Sequence, residues 1–217
     1  MQWKEKAFNT NLRLDPWISF FTSHGYAVLD VDYRGSTGYG RTYRNALRGH
    51  WGERDVTDCV DAVHHLAAGG RIDPARVAIC GSSAGGYTAL RAIATTNTFA
   101  AAAVRHALID PATWAESAPK FQAHHAELLI GPPSAQATYD ERSVLSHTDA
   151  ITVPVLIIHG DKDTVTPVTH GRRLADKLGE RATLITFTEE GHGLRSPANN
   201  SRALSAELEH LRRSLQE

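Results

Sequence analysis

The sequence is poor in several features that mark particular classes of protein. It contains two cysteines, Cys59 and Cys80, among 217 residues, too few for a disulfide framework or a cysteine-rich metal site. We expect two reduced, buried thiols. No apolar run approaches the roughly 18 residues of a membrane span, and the polar N-terminus lacks the apolar block of a secretory signal. These absences favour a cytoplasmic protein.

Neither sign of charge is in marked excess. The formal net charge is −1 and the pI is about 6.9, so neither nucleic acid nor a membrane is expected as a partner. With 41% hydrophobic and 22% charged residues, the composition is that of an ordinary globular protein. The length suits one domain with a sizeable core, which we expect to span residues 1–217.

Strand and helix patterns alternate along the chain. The β-rich or apolar segments predict strands at residues 26–33, 76–80, 100–104, 153–159 and 182–187. Apolar residues at helical spacing predict helices at residues 55–68, 85–95, 171–178 and 200–215. Residues 111–150 show no strand signal and indicate short helices and loops. This order is typical of an α/β fold whose mostly parallel sheet carries helices on both faces, with chemistry at the carboxyl ends of the strands.

A short glycine-rich motif follows the strand predicted at 76–80. Residues 81–86 read GSSAGG, which contains G-x-S-x-G with Ser83 at its centre. Between a strand and a helix, this pattern is typical of a sharp turn that exposes a nucleophilic serine, and small neighbours are needed because the turn packs against itself. The amide of Ala84 is then placed to donate to a developing oxyanion. A phosphate-binding turn is the alternative, but neither the Lys-Ser/Thr pair of a P-loop nor G-x-G-x-x-G occurs here.

A nucleophilic serine needs a base, and the base needs an orienting carboxylate. In α/β-hydrolases these follow the serine in the order Asp or Glu, then His. The strand predicted at 153–159 leads into Asp161 and Asp163, and the strand at 182–187 leads into the glycine-flanked His192. We choose Asp163 as the carboxylate, with Asp161 capping the turn, and His192 as the base.

The sequence has twelve histidines, so His192 must be weighed against the others. Adjacent histidines stand at positions 64–65 and 124–125. Neighbours in a helix do not share a face, so neither pair makes a chelate by itself. His159 ends a strand that we expect to be buried, and a structural role is expected for it. His192 follows the last predicted strand on a loop, where a mobile base would lie.

Together, four motifs resemble the prolyl oligopeptidase family. They are DYRGSTGYG at 32–40, GSSAGGY at 81–87, HGDKD at 159–163 and GHG at 191–193. The resemblance runs from about Leu14 to the C-terminus and is strongest to the acylaminoacyl-peptidase and dipeptidyl aminopeptidase branch. It implies an α/β-hydrolase fold and a serine peptidase that hydrolyses peptide bonds of oligopeptides through an acyl-enzyme.

The resemblance also implies a role for each site residue. Ser83 would be acylated, His192 would shuttle the proton and Asp163 would orient the imidazole. Tyr39 matches the position of a tyrosine whose hydroxyl completes the oxyanion hole, with the Ala84 amide as the partner donor. A packed turn aromatic is the alternative for Tyr39. No metal or organic cofactor is implied, since such a triad is self-sufficient.

The chain departs from the family at its N-terminal side. The β-propeller of full-length members, the first strands of the domain and a His-Gly-Gly-Pro loop are missing, and the polar residues 1–11 are a poor substitute. By analogy, one missing strand belongs inside the sheet, between the strands at 26–33 and 76–80. Unpaired backbone groups there would cost about 1–3 kcal/mol each if buried. We therefore expect an N-terminally truncated product or fragment, whose exposed edge favours pairing with another chain, such as a homo-oligomer.

Three functions stay open. The resemblance favours a serine peptidase that acts on oligopeptides. A carboxylesterase acting on small esters would use the same triad, and Val165 favours it, because some branches of the family carry there an Arg or Asn that grips the peptide backbone. The third is an inactive fragment that needs a partner chain or does not fold cooperatively.

Overall fold

A single parallel sheet organises the chain. The computed structural model describes residues 2–3, 15–118 and 120–215. Its strands lie side by side in chain order, and each neighbouring pair is parallel. The strands are β1 (Gln2–Trp3), β2 (Ala78–Ser82), β3 (Ala101–Arg105), β4 (Val155–Gly160) and β5 (Ala182–Phe187).

The connections between these strands contain the helices. They are α1 (Pro16–Ser23), α2 (Gly40–Asn45), α3 (Arg54–Ala68), α4 (Ala84–Thr95), α5 (Pro111–Ser117), α6 (His125–Leu129), α7 (Gln136–Arg142), α8 (Thr169–Leu178) and α9 (Pro197–Ser214). Short 3₁₀ helices lie at Pro74–Arg76, Lys120–Gln122, Val144–Ala150 and Gly179–Arg181. Within the described ranges, no helix combines the length and apolar character that a membrane crossing requires.

Local sequence explains where three of the helices begin. Asp15, Asp110 and Ser196 each stand before a proline, and each accepts a hydrogen bond from a backbone N–H of the first helical turn, in α1, α5 and α9 respectively. Such side chains satisfy N–H groups that have no partner within the helix, and proline fits the first helical position because its missing N–H is not needed there.

Most predicted elements are confirmed. The strands predicted at residues 76–80, 100–104, 153–159 and 182–187 are β2, β3, β4 and β5. The helices predicted at residues 55–68, 85–95, 171–178 and 200–215 are α3, α4, α8 and α9. In residues 111–150, the described positions form short helices and no strand, as expected.

The strand predicted at 26–33 is wrong, because the described structure assigns this segment neither strand nor helix. Aromatic and β-branched residues indicate that a segment fits a pleated surface, but a strand forms only where a neighbour completes its ladder. Beside β2, the sheet continues instead with Gln2 and Trp3, which pair with Cys80 and Gly81. Two residues that we took as part of a poor substitute therefore extend the sheet, while the remainder of residues 1–11 lies outside the described residues.

The sheet is covered on both faces, as predicted. Ile79 and Ile157 belong to a buried cluster with α3, α4 and α8, whereas Cys80 and Ile158 pack with α1 and α9 on the other side. Alternate residues of one strand point to opposite faces, so burial on both faces explains the continuous apolar sequence of β4. Cys59 and Cys80 are free and buried, and burial raises the pKa of Cys80 to about 11.

A buried ion pair joins α9 to the sheet. Glu207 of α9 is 1% exposed, and its carboxylate accepts two hydrogen bonds from the Arg105 guanidinium, at 2.6 and 2.7 Å. The indole N–H of Trp17 in α1 donates to the same carboxylate at 3.0 Å. The end of β3 is thus connected through one carboxylate to both helices of that face.

A second buried carboxylate connects α3 with α4. Asp55 is fully buried and accepts hydrogen bonds from the Gly52 N–H, at 2.7 Å, and from the Thr88 hydroxyl. Burial raises the pKa of Asp55 from 3.8 to about 6 despite these bonds. The folded protein therefore binds this proton more tightly than the unfolded chain does. Asp55 contributes stability that is fully present below pH 3.8 and is lost as pH rises to about 6.

Asp55→Asn is expected to remove this pH dependence. The amide oxygen can still accept from Gly52, and the side chain has no charge to desolvate. We measure the free energy of unfolding in urea between about pH 4 and pH 7. As pH rises over this range, that of the variant should increase by on the order of 2 kcal/mol relative to that of wild type. Asp55→Ala serves as the control: it leaves the Gly52 and Thr88 donors without their acceptor and should be destabilised by about 1–3 kcal/mol throughout. If the free energies of unfolding of wild type and Asp55→Asn changed with pH in the same way, the pH dependence could not be attributed to Asp55.

Candidate active site

Ser83 lies at the junction between β2 and α4. Its backbone has φ 54° and ψ −121°, a conformation that residues other than glycine rarely adopt. The Ser83 N–H donates to the Arg105 carbonyl at 3.0 Å, and the Ser83 carbonyl accepts from the Tyr87 N–H at 3.1 Å. The strand before, the helix after and these two hydrogen bonds fix the strained turn.

Close packing explains the glycines around Ser83. A Cβ at Gly81 would meet the carbonyl oxygen of Gly85, and a Cβ at Gly86 would lie 2.6 Å from the Ala107 Cβ. No side chain fits in these spaces. The turn is therefore tight enough to leave the serine side chain at the N-terminus of α4.

Three side chains that are far apart in sequence meet at this edge of the sheet. The His192 Nε2 lies 3.0 Å from the Ser83 Oγ, and the His192 Nδ1 lies 2.9 Å from the Asp163 Oδ2. Both are hydrogen-bond distances. The three residues follow β2, β4 and β5, so the carboxyl ends of parallel strands bring them together. Such an arrangement can deprotonate a hydroxyl as it attacks a carbonyl.

The environment of Asp163 keeps it ionised. The Asp163 Oδ1 accepts from the N–H groups of Val165 and Thr166, at 2.8 and 2.9 Å, and the Thr166 hydroxyl donates to Oδ2 at 3.0 Å. Burial alone would raise the pKa of Asp163. Hydrogen bonds with His159, His192 and the Thr166 N–H outweigh burial and leave that pKa well below its ordinary value. A carboxylate held in this state can stabilise an imidazolium on His192.

Glu190 supports the loop that carries the imidazole. Its buried carboxylate accepts hydrogen bonds from the Arg195 N–H at 2.7 Å, the Ser196 N–H at 3.0 Å and the Asn199 side-chain amide at 2.7 Å. These bonds, that from Arg195 above all, lower the pKa of Glu190. The loop after β5 is thus connected to the start of α9, and His192 lies on a supported segment.

The other candidates occupy structural positions. The Asp161 Oδ1 accepts from the Glu189 N–H at 2.8 Å, so Asp161 joins the loop after β4 to the loop after β5 and does not cap its own turn. His159 is fully buried, and its Nε2 lies 2.7 Å from the Thr166 carbonyl oxygen. The histidines at 64–65 lie in α3, and those at 124–125 lie at the start of α6. Among the described residues, no three His, Cys, Asp or Glu side chains gather as a metal site requires.

The Tyr39 hydroxyl lies with a different partner from the one implied by the resemblance. It donates to the Asp32 Oδ2 at 2.6 Å, and the side chain is 53% exposed. The Tyr39 ring packs against Tyr43, with ring centroids 5.2 Å apart. Tyr39 is not among the described residues that line the pocket beside Ser83. To act as an oxyanion donor, Tyr39 would have to exchange Asp32 for the oxyanion.

A pocket of about 560 Å³ opens beside Ser83. Ala84, the first residue of α4, lines it. The first N–H groups of a helix have no partner within the helix, and a helix N-terminus favours an anionic group. A pocket of this size can hold a small organic group against apolar walls. These walls include Leu47, Trp51, Leu108, Trp114, Leu128 and Val165.

Sequence reasoning missed two residues of this site. The Thr166 N–H and hydroxyl both donate to the Asp163 carboxylate, and the Asx-type turn that starts at an aspartate is a signal that would have found Thr166. His106 directly follows β3 and packs against His192, with ring centroids 4.5 Å apart. The rule that chemistry collects at strand carboxyl ends points to His106 as well.

Comparisons with known proteins place the chain in a family. A profile of the Prolyl oligopeptidase family matches residues 13–217. The chain is 31% identical over 196 residues to an acylamino-acid-releasing enzyme of Arabidopsis thaliana, covering 83% of this chain and 25% of that protein. It is 32% identical over 196 residues to dipeptidyl aminopeptidase BIII of Pseudoxanthomonas mexicana, covering 85% of this chain and 28% of that protein. The chain thus spans about a quarter of the length of these relatives.

Solved structures agree on the fold. A puromycin-hydrolyzing peptidase of Mycobacterium tuberculosis superposes with a TM-score of 0.91 at 42% identity, covering 94% of this chain and 32% of that one. An acylaminoacyl peptidase of Pyrococcus horikoshii superposes with a TM-score of 0.80 at 22% identity, covering 86% and 32%. The predicted α/β-hydrolase fold is confirmed by these neighbours. Because the family profile covers nearly the whole sequence, the chain belongs to the prolyl oligopeptidase family.

Proposed function

We propose that the chain is the catalytic domain of a serine peptidase that hydrolyses peptide bonds of oligopeptides through an acyl-enzyme. The observation that carries this proposal is the hydrogen-bonded series from the Ser83 Oγ through both nitrogens of His192 to Asp163. Membership of the family supports a peptide bond as the target. We take residues 1–217 as one domain.

The geometry supports a two-step reaction. The Ser83 oxygen attacks the carbonyl carbon while the His192 Nε2 takes the hydroxyl proton. His192 then returns the proton to the leaving amine, the carbon–nitrogen bond breaks and an ester to Ser83 remains. A water molecule repeats the sequence in place of the serine and releases the acid. Throughout, the ionised Asp163 stabilises the charge that forms on His192.

The environment of the nucleophile suggests how substrate is held. The Ala84 N–H and the Tyr39 hydroxyl are the proposed oxyanion donors, and the apolar pocket receives a side chain of the substrate. We also propose that the enzyme works in the cytoplasm, because the free Cys59 and Cys80 fit a compartment in which disulfides are rare.

Labelling with a fluorophosphonate tests whether the triad is assembled, whatever the substrate. We expect one labelled site, Ser83, in the wild-type protein and none in Ser83→Ala. Mapping the adduct by peptide mass spectrometry gives the position directly. A folded wild type that does not react would support the inactive alternative, and labelling that persists in Ser83→Ala would place the nucleophile elsewhere.

A carboxylesterase is the second candidate, favoured by Val165. This residue lines the pocket and offers no side-chain donor to a peptide carbonyl. Turnover of an aminoacyl-p-nitroanilide beside p-nitrophenyl acetate separates the two functions, because the leaving group is an amine in one and a phenol in the other. The peptidase proposal requires anilide turnover. Ester turnover alone would overturn it.

Tyr39→Phe is expected to lower kcat by about 100-fold and to change KM little, because the hydroxyl would act on the oxyanion and not on bound substrate. Tyr43→Phe is the matched control, since the Tyr43 hydroxyl donates to the Asp32 carbonyl at 2.7 Å and has no proposed role in the reaction. Steady-state kinetics of both variants measure the difference. Equal rates for Tyr39→Phe and wild type would show that Tyr39 is only a turn aromatic.

A further inference from the structure

His106 packs against the proposed base without bonding to it. The residue directly follows β3 and is 8% exposed. The centroids of the His106 and His192 rings lie 4.5 Å apart, with the ring planes inclined by 60°. A ring at this distance restricts the tilt of its neighbour, and the hydrogen bonds of His192 to Ser83 and Asp163 both depend on that tilt.

Three hydrogen bonds fix His106 itself. Its Nε2 lies 2.6 Å from the Oγ of Ser82, the residue before the nucleophile. Its backbone N–H donates to the Ile158 carbonyl at 2.7 Å, and its carbonyl accepts from the Thr166 hydroxyl at 2.9 Å. The backbone φ of His106 is 38°, in a region where residues other than glycine are uncommon and His, Asn and Asp are enriched.

The third of these bonds links the two neighbours of the imidazole. The Thr166 hydroxyl has one proton, which the His106 carbonyl oxygen at 2.9 Å and the Asp163 Oδ2 at 3.0 Å share, and its Oγ1 also lies 3.3 Å from the His192 Nδ1. A shift of His106 would therefore disturb the carboxylate as well as the ring face. One threonine couples the two contacts that orient His192.

His106 is neutral, which suits a residue that acts on His192 by packing against it. Burial, and then the proximity of His192, lower the pKa of His106 to about 3. A neutral ring does not repel the imidazolium that forms on His192 during the reaction. The Nε2 of His106 is already occupied by Ser82, so His106 is not placed to take the nucleophile's proton.

We propose that His106 is a positioning residue, which holds the His192 imidazole in the orientation that lets it bond to both Asp163 and the Ser83 hydroxyl. The juxtaposition of the two rings, with His106 anchored to Ser82 and through Thr166 to Asp163, carries this inference. It rests on the proposed function, because a positioned base has meaning only if His192 serves Ser83.

Two substitutions separate the effect of the ring packing against His192 from the effect of the hydrogen bond to Ser82. His106→Phe keeps an aromatic ring against His192 but loses the bond to Ser82. His106→Asn keeps a polar group and tolerates the positive φ, but removes the ring. We expect His106→Asn to lower kcat by about 10- to 100-fold and His106→Phe to restore most of that loss. KM should stay near wild type in both, since His106 does not line the described pocket.

Proton NMR supplies a readout that a merely structural role would not change. The low-field resonance of the proton between His192 and Asp163 should be retained in wild type and His106→Phe, and broadened or shifted upfield in His106→Asn. Melting temperatures of all variants show whether each is folded. An His106→Asn protein with wild-type kcat and an unchanged resonance would overturn the proposal.

A third variant covers the case in which His106→Asn does not fold. Ser82→Ala keeps the imidazole ring but leaves its buried Nε2 without a partner, a polar atom that the ring of His106→Phe does not have. The unpaired ring can then tilt away from His192, and we expect a smaller loss of kcat with partial broadening of the resonance. Unchanged kcat and resonance in Ser82→Ala would then refute positioning. The fluorophosphonate distinguishes the two levels of failure: a wild type that does not react removes the proposed function, whereas equal reaction rates of wild type and the variants remove only the role of His106.

Discussion

Ser83→Ala is expected to lower kcat by about a million-fold on whichever chromogenic substrate the wild type hydrolyses. The variant loses the only oxygen that lies within hydrogen-bond distance of the His192 Nε2 among the described contacts. KM should change little, because the pocket walls and the Ala84 N–H remain. Initial rates at saturating substrate, with the melting temperature as a check on folding, measure the effect.

The matched control for this prediction is Ser205→Ala. Ser205 is an exposed serine on α9, so its hydroxyl has no place in the reaction and its removal should leave kcat at the wild-type value. If Ser83→Ala kept a tenth or more of the wild-type rate, Ser83 would not be the nucleophile, whatever the distance to His192.

Asp163→Asn is expected to lower kcat by about 10⁴-fold. The amide oxygen can still accept from the Val165 and Thr166 N–H groups, so the turn should persist. The amide nitrogen, however, would donate to the His192 Nδ1 and hold the imidazole in the tautomer that carries its proton on Nε2. That tautomer cannot accept the proton of Ser83. Activity measured together with the melting temperature separates this effect from unfolding.

Asp161→Asn tests the choice between the two aspartates of the HGDKD motif. Asp161 accepts a hydrogen bond from the Glu189 N–H, and an asparagine oxygen can accept it equally well. We expect this variant to keep most of its activity. A large loss in Asp161→Asn with little loss in Asp163→Asn would reverse the assignment of the orienting carboxylate.

The features that sequence predicted are those that local chemistry determines. The spaces at Gly81, the first glycine of G-x-S-x-G, and at Gly86, which directly follows the motif, admit no Cβ, so these two glycines are required by the turn that holds Ser83. The apolar sequence of β4 follows from burial on both faces of the sheet. Asp163 and His192 could be named because each comes just after a strand, and the carboxyl ends of parallel strands meet at one edge.

The features that sequence did not predict depend on partners that are distant or unexpected. The segment at 26–33 has strand composition, but its conformation depends on what lies beside it in the sheet. The packing of His106 against His192 follows from β3 lying between β2 and β4, which composition does not reveal. The bond from Tyr39 to Asp32 is a choice among nearby acceptors that no motif encodes.

The connection between Arg105 and Glu207 has a consequence for biosynthesis. The Arg105 carbonyl accepts the Ser83 N–H, while the Arg105 side chain is held by a carboxylate near the C-terminal end of the sequence. A nascent chain on the ribosome carries the serine long before it carries Glu207 or His192. Hydrolytic competence should therefore arrive only after α9 has been synthesised and has docked, and a nascent chain that stops before Glu207 should be inert toward the peptides around it.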